Sequence, residues 1–343
     1  MAVGQFIYGP LSDSFGRKPV ILFGLLIFAA GTLLSVTADT YEQMLLGRVL
    51  QGFGLAGPRV VSVALVRDLY SGRAMARVMS FVMTVFILVP MMAPALGQLV
   101  LNYSGWRMIF IGLLFVAILL SIWLIIRLPE TLTDDNRRSF ASGVLWLGFK
   151  EVVSNRVAMG FTLVTGLVFG AFIGYLSLSQ PVLQDQYALG TQFPLYFGCL
   201  AGAIGLASLM NARLVGRYGM WRLIIISLVS IILCTLIYTP WVLAYSGHPP
   251  LLSLVTYLFL VFFAVGLLFG NLNSMAMEPL GHLAGIGAGL ISALSTLLSI
   301  IFSLMIGQLY NQTIYPLVGG FLVLISIALL ICYWLHKYAG VGR

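Results

Sequence analysis

The chain has 343 residues, 60% of them hydrophobic and only 8% charged, with a net charge of +8. Soluble domains are roughly a quarter charged, so this composition excludes a water-soluble globule and divides the chain into membrane spans with short connections. In a soluble protein such a basic excess points to nucleic acid; here the placement of the charges along the chain carries the meaning.

Residues 2–8 are too few to cross a bilayer, which takes about 20 apolar residues, and they read as the last two turns of a helix that begins earlier. A charged turn over residues 9–19 follows. Ten span-length apolar runs come next, at 19–38, 44–66, 78–100, 108–126, 157–178, 192–210, 223–245, 251–273, 285–309 and 313–335. The chain is thus expected to be all-α, with eleven helices, the first one partial. Cys199, Cys234 and Cys332 each sit inside an apolar run, with no CxxC or Cys/His cluster, so no metal site or disulfide is expected.

The basic residues test the order of spans. Of the 18 Lys and Arg, fifteen fall in alternate connections beginning with Arg17 and Lys18 and ending with Lys337 and Arg343. Only Arg107 lies on the opposite side, and Arg48 and Arg59 lie within a span. The positive-inside rule then places the first set, and the C-terminus, in the cytoplasm. The longest polar connection, 127–155, separates residues 1–126 from 156–343 as two bundles. A weak internal echo of the opening turn, Asn211, Arg213, Arg217, Gly219 and Arg222, follows the second span of the second half and suggests that the halves are related.

Arg48 and Arg59 are 11 residues apart, about 20° off one helical face and ~16 Å apart along the axis. A guanidinium at mid-membrane costs ~2.5–3.5 kcal/mol on insertion scales, so both are expected to face a wet cavity or an acid. Snorkelling to the surface near Asp39 and Glu42 is the alternative for Arg48. All ten carboxylates lie in connections and none in a complete span. His248, His282 and His336 also lie outside the mid-membrane zone. No G-x-x-x-x-G-K-[ST], H-E-x-x-H or G-x-S-x-G motif occurs, so neither ATP hydrolysis nor an enzyme active site is expected, and no catalytic residue is assigned. Any energy must come from a gradient.

The turn Gly9-x-x-x-Asp13-x-x-Gly16-Arg17-Lys18 resembles the signature loop between the second and third helices of the major facilitator superfamily (MFS). The wider run Gly4–Pro19 is most similar to its Bcr/CflA branch of drug:proton antiporters. Arg48, Gln51 and Gly52 resemble the R-x-x-Q-G motif on the family's fourth helix. Pro90, Pro94 and Gly97 resemble the antiporter motif of the fifth, with Ala93 and Gln98 departing from it. Trp106-Arg107-Met108-Ile109-Phe110 resembles the W-R-x-I-F start of the sixth.

The resemblance implies an MFS fold of two pseudo-symmetric helical bundles, and proton-driven efflux of small apolar or amphiphilic compounds by alternating access. Uptake by symport and an inactive membrane fragment remain the alternatives. It implies proton coupling through Arg48, Gln51, Gly52 and Arg59. It also implies a cytoplasmic gate of Gly9, Asp13, Gly16, Arg17, Lys18 and Asp68, whose aspartate faces the start of the eleventh helix near 284–287. The family's first helix carries an Asp, so the chain is expected to start within the second helix, without that acid. Met83, Met91, Phe172, Tyr175, Tyr196, Asn271 and Ser295 are candidates for a soft substrate cavity. The expected partners are a small-molecule substrate, protons and lipid, with no cofactor and no nucleic acid. The expected form is a monomer in a bacterial inner membrane.

Overall fold

The computed structural model describes residues 1–70, 72–132 and 149–340. Among the described residues eleven long helices run in chain order: α1 Ala2–Phe15, α2 Arg17–Val36, α3 Tyr41–Leu69, α4 Gly72–Tyr103, α5 Arg107–Arg127, α6 Arg156–Gln180, α7 Phe193–Tyr218, α8 Met220–Ala244, α9 Leu251–Met277, α10 Ala284–Gln308 and α11 Tyr315–Ala339. No strand occurs among the described residues. An oily medium leaves backbone N–H and C=O groups no outside partner, and the α-helix satisfies them within one segment. Among the described residues, nine helical stretches are long and apolar enough to cross a membrane. The all-α fold follows from that composition.

The chain forms two compact units: Met1–Met83 with Leu96–Glu151 and Leu283–Ala293, and Thr84–Ala95 with Val152–His282 and Leu294–Arg343. In the first unit, α2 packs along α3, and α1 and α5 pack on that pair. Glycine makes the α2–α3 contact possible. A Cβ on Gly24 would stand 2.6 Å from the Gly54 carbonyl, and one on Gly31 2.8 Å from the Gly47 carbonyl. The glycines recur seven residues apart on each helix, so two turns of antiparallel backbone touch without side chains between them. The ring of Tyr8 fills the space beside Gly57 and is fully buried.

In the second unit, α9 packs on α6, α7 and α8, while α11 packs on α6 and α8. Gly166, Gly170 and Gly174 of α6 receive Leu298, Phe302 and Ile306 of α10, each four residues after the last. Phe172, Tyr175 and Phe262 make edge-to-face ring contacts in this packing.

The first turn differs from expectation. Residues 9–15 are helical, and Pro10 lies inside α1 rather than at its end. Proline removes only one backbone donor. Ser12 Oγ donates to the Gly9 carbonyl at 2.7 Å and Ser14 Oγ to that of Pro10 at 3.1 Å. The reversal is confined to Gly16, at φ 102° and ψ 159°, a conformation that L side chains avoid. Gly219 joins α7 to α8 in the same way, at φ 77° and ψ 157°. The internal echo is therefore a shared one-residue joint.

Candidate functional site

The Arg17 cluster begins as local sequence: Asp13 and Arg17 are four residues apart, on either side of the Gly16 joint. Arg17 is 4% exposed. Its Nη1 donates to Asp13 Oδ1 at 2.6 Å and to Ser12 Oγ at 2.7 Å, and its Nε donates to Asp68 Oδ2 at 2.9 Å. One guanidinium thus holds the end of α1 and the end of α3 to the start of α2. Asp68 pairs with Arg17 and not with Lys18, whose Nζ donates to the Ile125 carbonyl at 2.8 Å. Gly9 does not serve close approach, since a Cβ there would meet only Val60 at an ordinary 3.8 Å. The side chains of 281–286 lie outside the described residues, and with them the expected contact of Asp13 at the start of α10.

Glu130 escaped the sequence reading. It lies just after α5, yet its Oε1 accepts the backbone N–H of Arg17 at 2.9 Å and its Oε2 that of Lys18 at 3.1 Å. The N–H groups of Thr131 and Leu132 add two more bonds to Oε1, each at 3.0 Å. Partial burial pushes this carboxyl up, but the four N–H groups together pull it further, to a net position below the ordinary value. The sequence signal was Pro129-Glu130-Thr131 after a span, together with a glycine before a helix start.

Within α3, Arg48 Nη1 donates to Gln51 Oε1 at 3.1 Å, and Gln51 Nε2 donates to Thr32 Oγ1 of α2 at 3.0 Å. Thr32 in turn donates to the Phe28 carbonyl at 2.7 Å. Gln51 is buried, so it has one orientation to offer Arg48. The guanidinium lies 5.9 Å from the Phe110 ring centre of α5. Asp39 faces Arg107 at 3.6 Å rather than Arg48. Arg59 is exposed, and among the described residues neither it nor Arg48 has an ion pair with a carboxylate. Gly52 is not needed for packing, since a Cβ there would meet Met1 no closer than 3.6 Å.

Pro94 and Gly97 lie in helix α4, half-buried, and no described residue comes within 4 Å of a Cβ on Gly97. Of the cavity candidates, Tyr175 is buried among rings and Phe172 and Tyr196 are half-buried. Asn271 Nδ2 donates to Asn211 Oδ1 at 2.9 Å, and Ser295 Oγ to the Thr162 carbonyl at 3.4 Å. These two spend polar atoms on helix–helix contacts. The side chains of Met83, Pro90 and Met91 lie outside the described residues.

The Major Facilitator Superfamily profile matches residues 1–304. An MFS-type transporter of Bacillus subtilis, YdgK, is 29% identical over 95% of this chain and 81% of its own length. A bicyclomycin resistance protein homolog of Haemophilus influenzae is 27% identical over 98% and 84%. The chloramphenicol resistance protein CraA of Acinetobacter baumannii is 31% identical over 62% and 52%. Among solved structures, the human organic anion transporter MFSD10 superposes with a TM-score of 0.72 at 20% identity, covering 97% of this chain and 81% of its own. The fold is the same. With helices, signature residues and profile in agreement over most of its length, the chain belongs to the major facilitator superfamily and is a multi-pass membrane transporter.

Proposed function

We propose that the chain is a proton-coupled exporter of small apolar or amphiphilic compounds, working by alternating access in a bacterial inner membrane. One observation carries the reading. Arg48 sits in a membrane helix with Gln51, itself held by Thr32, as its polar partner. A cationic side chain in such a helix, partnered by a neutral amide that a hydroxyl holds in turn, suits a proton path, where it shifts the affinity of a nearby acid. Arg59, on the same face, extends that polar stripe. The Arg17 cluster serves as a cytoplasmic latch, and the basic residues favour a cytoplasmic C-terminus. The resistance proteins among the relatives support export. One proton crossing 100 mV supplies ~2.3 kcal/mol, enough for about a fifty-fold gradient of a neutral solute.

The test uses everted vesicles of a host lacking its own exporters, with chloramphenicol and bicyclomycin as probes. Accumulation that needs an acidic interior, collapses with a protonophore and is lost in Arg48→Ala is the expected result. Accumulation indifferent to the protonophore refutes proton coupling, and probe leaving the vesicles together with protons makes the chain a symporter.

A further inference from the structure

Glu130 is 113 residues from the backbone it caps. Two independent features place it there. Its carboxylate takes the first free N–H groups of α2, at Arg17 and Lys18. A helix N-terminus leaves such donors unpaired and favours a negative charge. In addition, a Cβ on Gly16 would come within 2.5 Å of Glu130 Oε2, so the absence of a side chain at Gly16 makes room for the carboxylate. Lys18 returns the contact through Nζ to the Ile125 carbonyl, near the end of α5. Among the described residues the matching joint at Gly219 has no such occupant: none lies within 4 Å of a Cβ there.

We propose that Glu130 is a positioning residue for the Arg17 latch, fixing where Arg17 leaves the backbone and tying the segment after α5 to the ends of α1, α2 and α3. Asp13 and Asp68 pull the guanidinium from two sides, so a start of α2 that frays moves it off both. Glu130 holds that start still. The consequence for transport rests on the function proposed above; the seat itself does not.

The experiment is hydrogen–deuterium exchange on the full chain in lipid nanodiscs, joined to chloramphenicol transport in everted vesicles. In the unaltered protein, the first-turn amides of α2 should be protected roughly tenfold more than those of α8, in line with a lost cap. Equal protection overturns the seat without any variant. E130Q should erase the difference and also loosen the last turn of α3, where Asp68 sits. Loosening confined to α2 makes Glu130 a simple cap and overturns the positioning role. G16A, which adds backbone strain at φ 102° to the loss of the seat, should loosen the start of α2 at least as much as E130Q, and adding E130Q to G16A should loosen it no further; further loosening in the double variant counts against the proposal. Transport velocity in E130Q should fall about tenfold with KM unchanged. If the unaltered chain moves no chloramphenicol, the transport reading falls, while the exchange pattern still decides the role of Glu130.

Discussion

Replacing Arg17 by alanine should harm the protein more than neutralising all three charges of its cluster. The guanidinium is 4% exposed, while Asp13 and Asp68 are 25% and 20% exposed. Exposed ion pairs contribute up to ~1 kcal/mol, and breaking a buried pair costs ~3–5 kcal/mol because the remaining charge is left alone. This cluster lies between those limits. Removing Arg17 abandons two carboxylates and the Ser12 hydroxyl, so we expect a loss of roughly 3 kcal/mol. Asp13→Asn or Asp68→Asn alone should cost about 1 kcal/mol, since the other acid still holds the guanidinium. The combination Asp13→Asn/Arg17→Gln/Asp68→Asn keeps shape and hydrogen-bonding capacity without leaving a lone charge, and should recover much of the loss. Thermal unfolding of detergent-purified protein, followed by retention on size-exclusion chromatography, ranks the variants. A neutral triple variant less stable than Arg17→Ala would refute the reasoning, and so would an Arg17→Ala protein as stable as the parent.

Gly54→Val should disrupt the α2–α3 contact, since a Cβ on Gly54 would lie 2.6 Å from the Gly24 carbonyl; folded yield should drop sharply. Gly97→Ala, with no described residue within 4 Å of the added Cβ, should be tolerated and gain ~0.5–1 kcal/mol of helix stability by the same thermal measurement. Thr32→Val removes the acceptor that orients Gln51 and should shift the pH profile of transport while leaving yield unchanged. For Glu130, a lowered folded pKa means its contribution is complete above the ordinary value of ~4.3 and fades only as pH falls through the lower folded value. A 13C-carboxyl NMR titration of labelled protein should accordingly find its midpoint below ~4.3.

The residues that could be read from sequence were those whose meaning is local. Asp13 and Arg17 are four residues apart across one turn, Arg48 and Gln51 share a face, and apolar length alone marked the spans. What stayed hidden depends on partners distant in sequence. Glu130 has its meaning only beside Gly16, and Thr32 only beside Gln51. The glycines at 24, 31, 47 and 54 were visible singly, but their seven-residue spacing became a contact only once α2 lay antiparallel to α3. Asn271 and Ser295 looked like ligand groups because sequence shows a polar atom in an apolar run and not the neighbouring helix that satisfies it. Pro10 misled in the opposite sense. It falls in the stretch 9–19 expected to be a turn, although serine hydroxyls nearby bond to local carbonyls and the helix carries on to Phe15.

The joint at Gly16 also sets a rule about length. Connections between helices ordinarily absorb insertions with little harm. Here, one extra residue ahead of α2 would turn that helix by ~100° relative to α1. The Gly24 and Gly31 stripe would swing away from α3, and Arg17 from its two acids. The joint therefore acts as a phase-setting screw for the whole first unit, and insertion scanning should find it far less forgiving than the connection between α2 and α3 at 37–40.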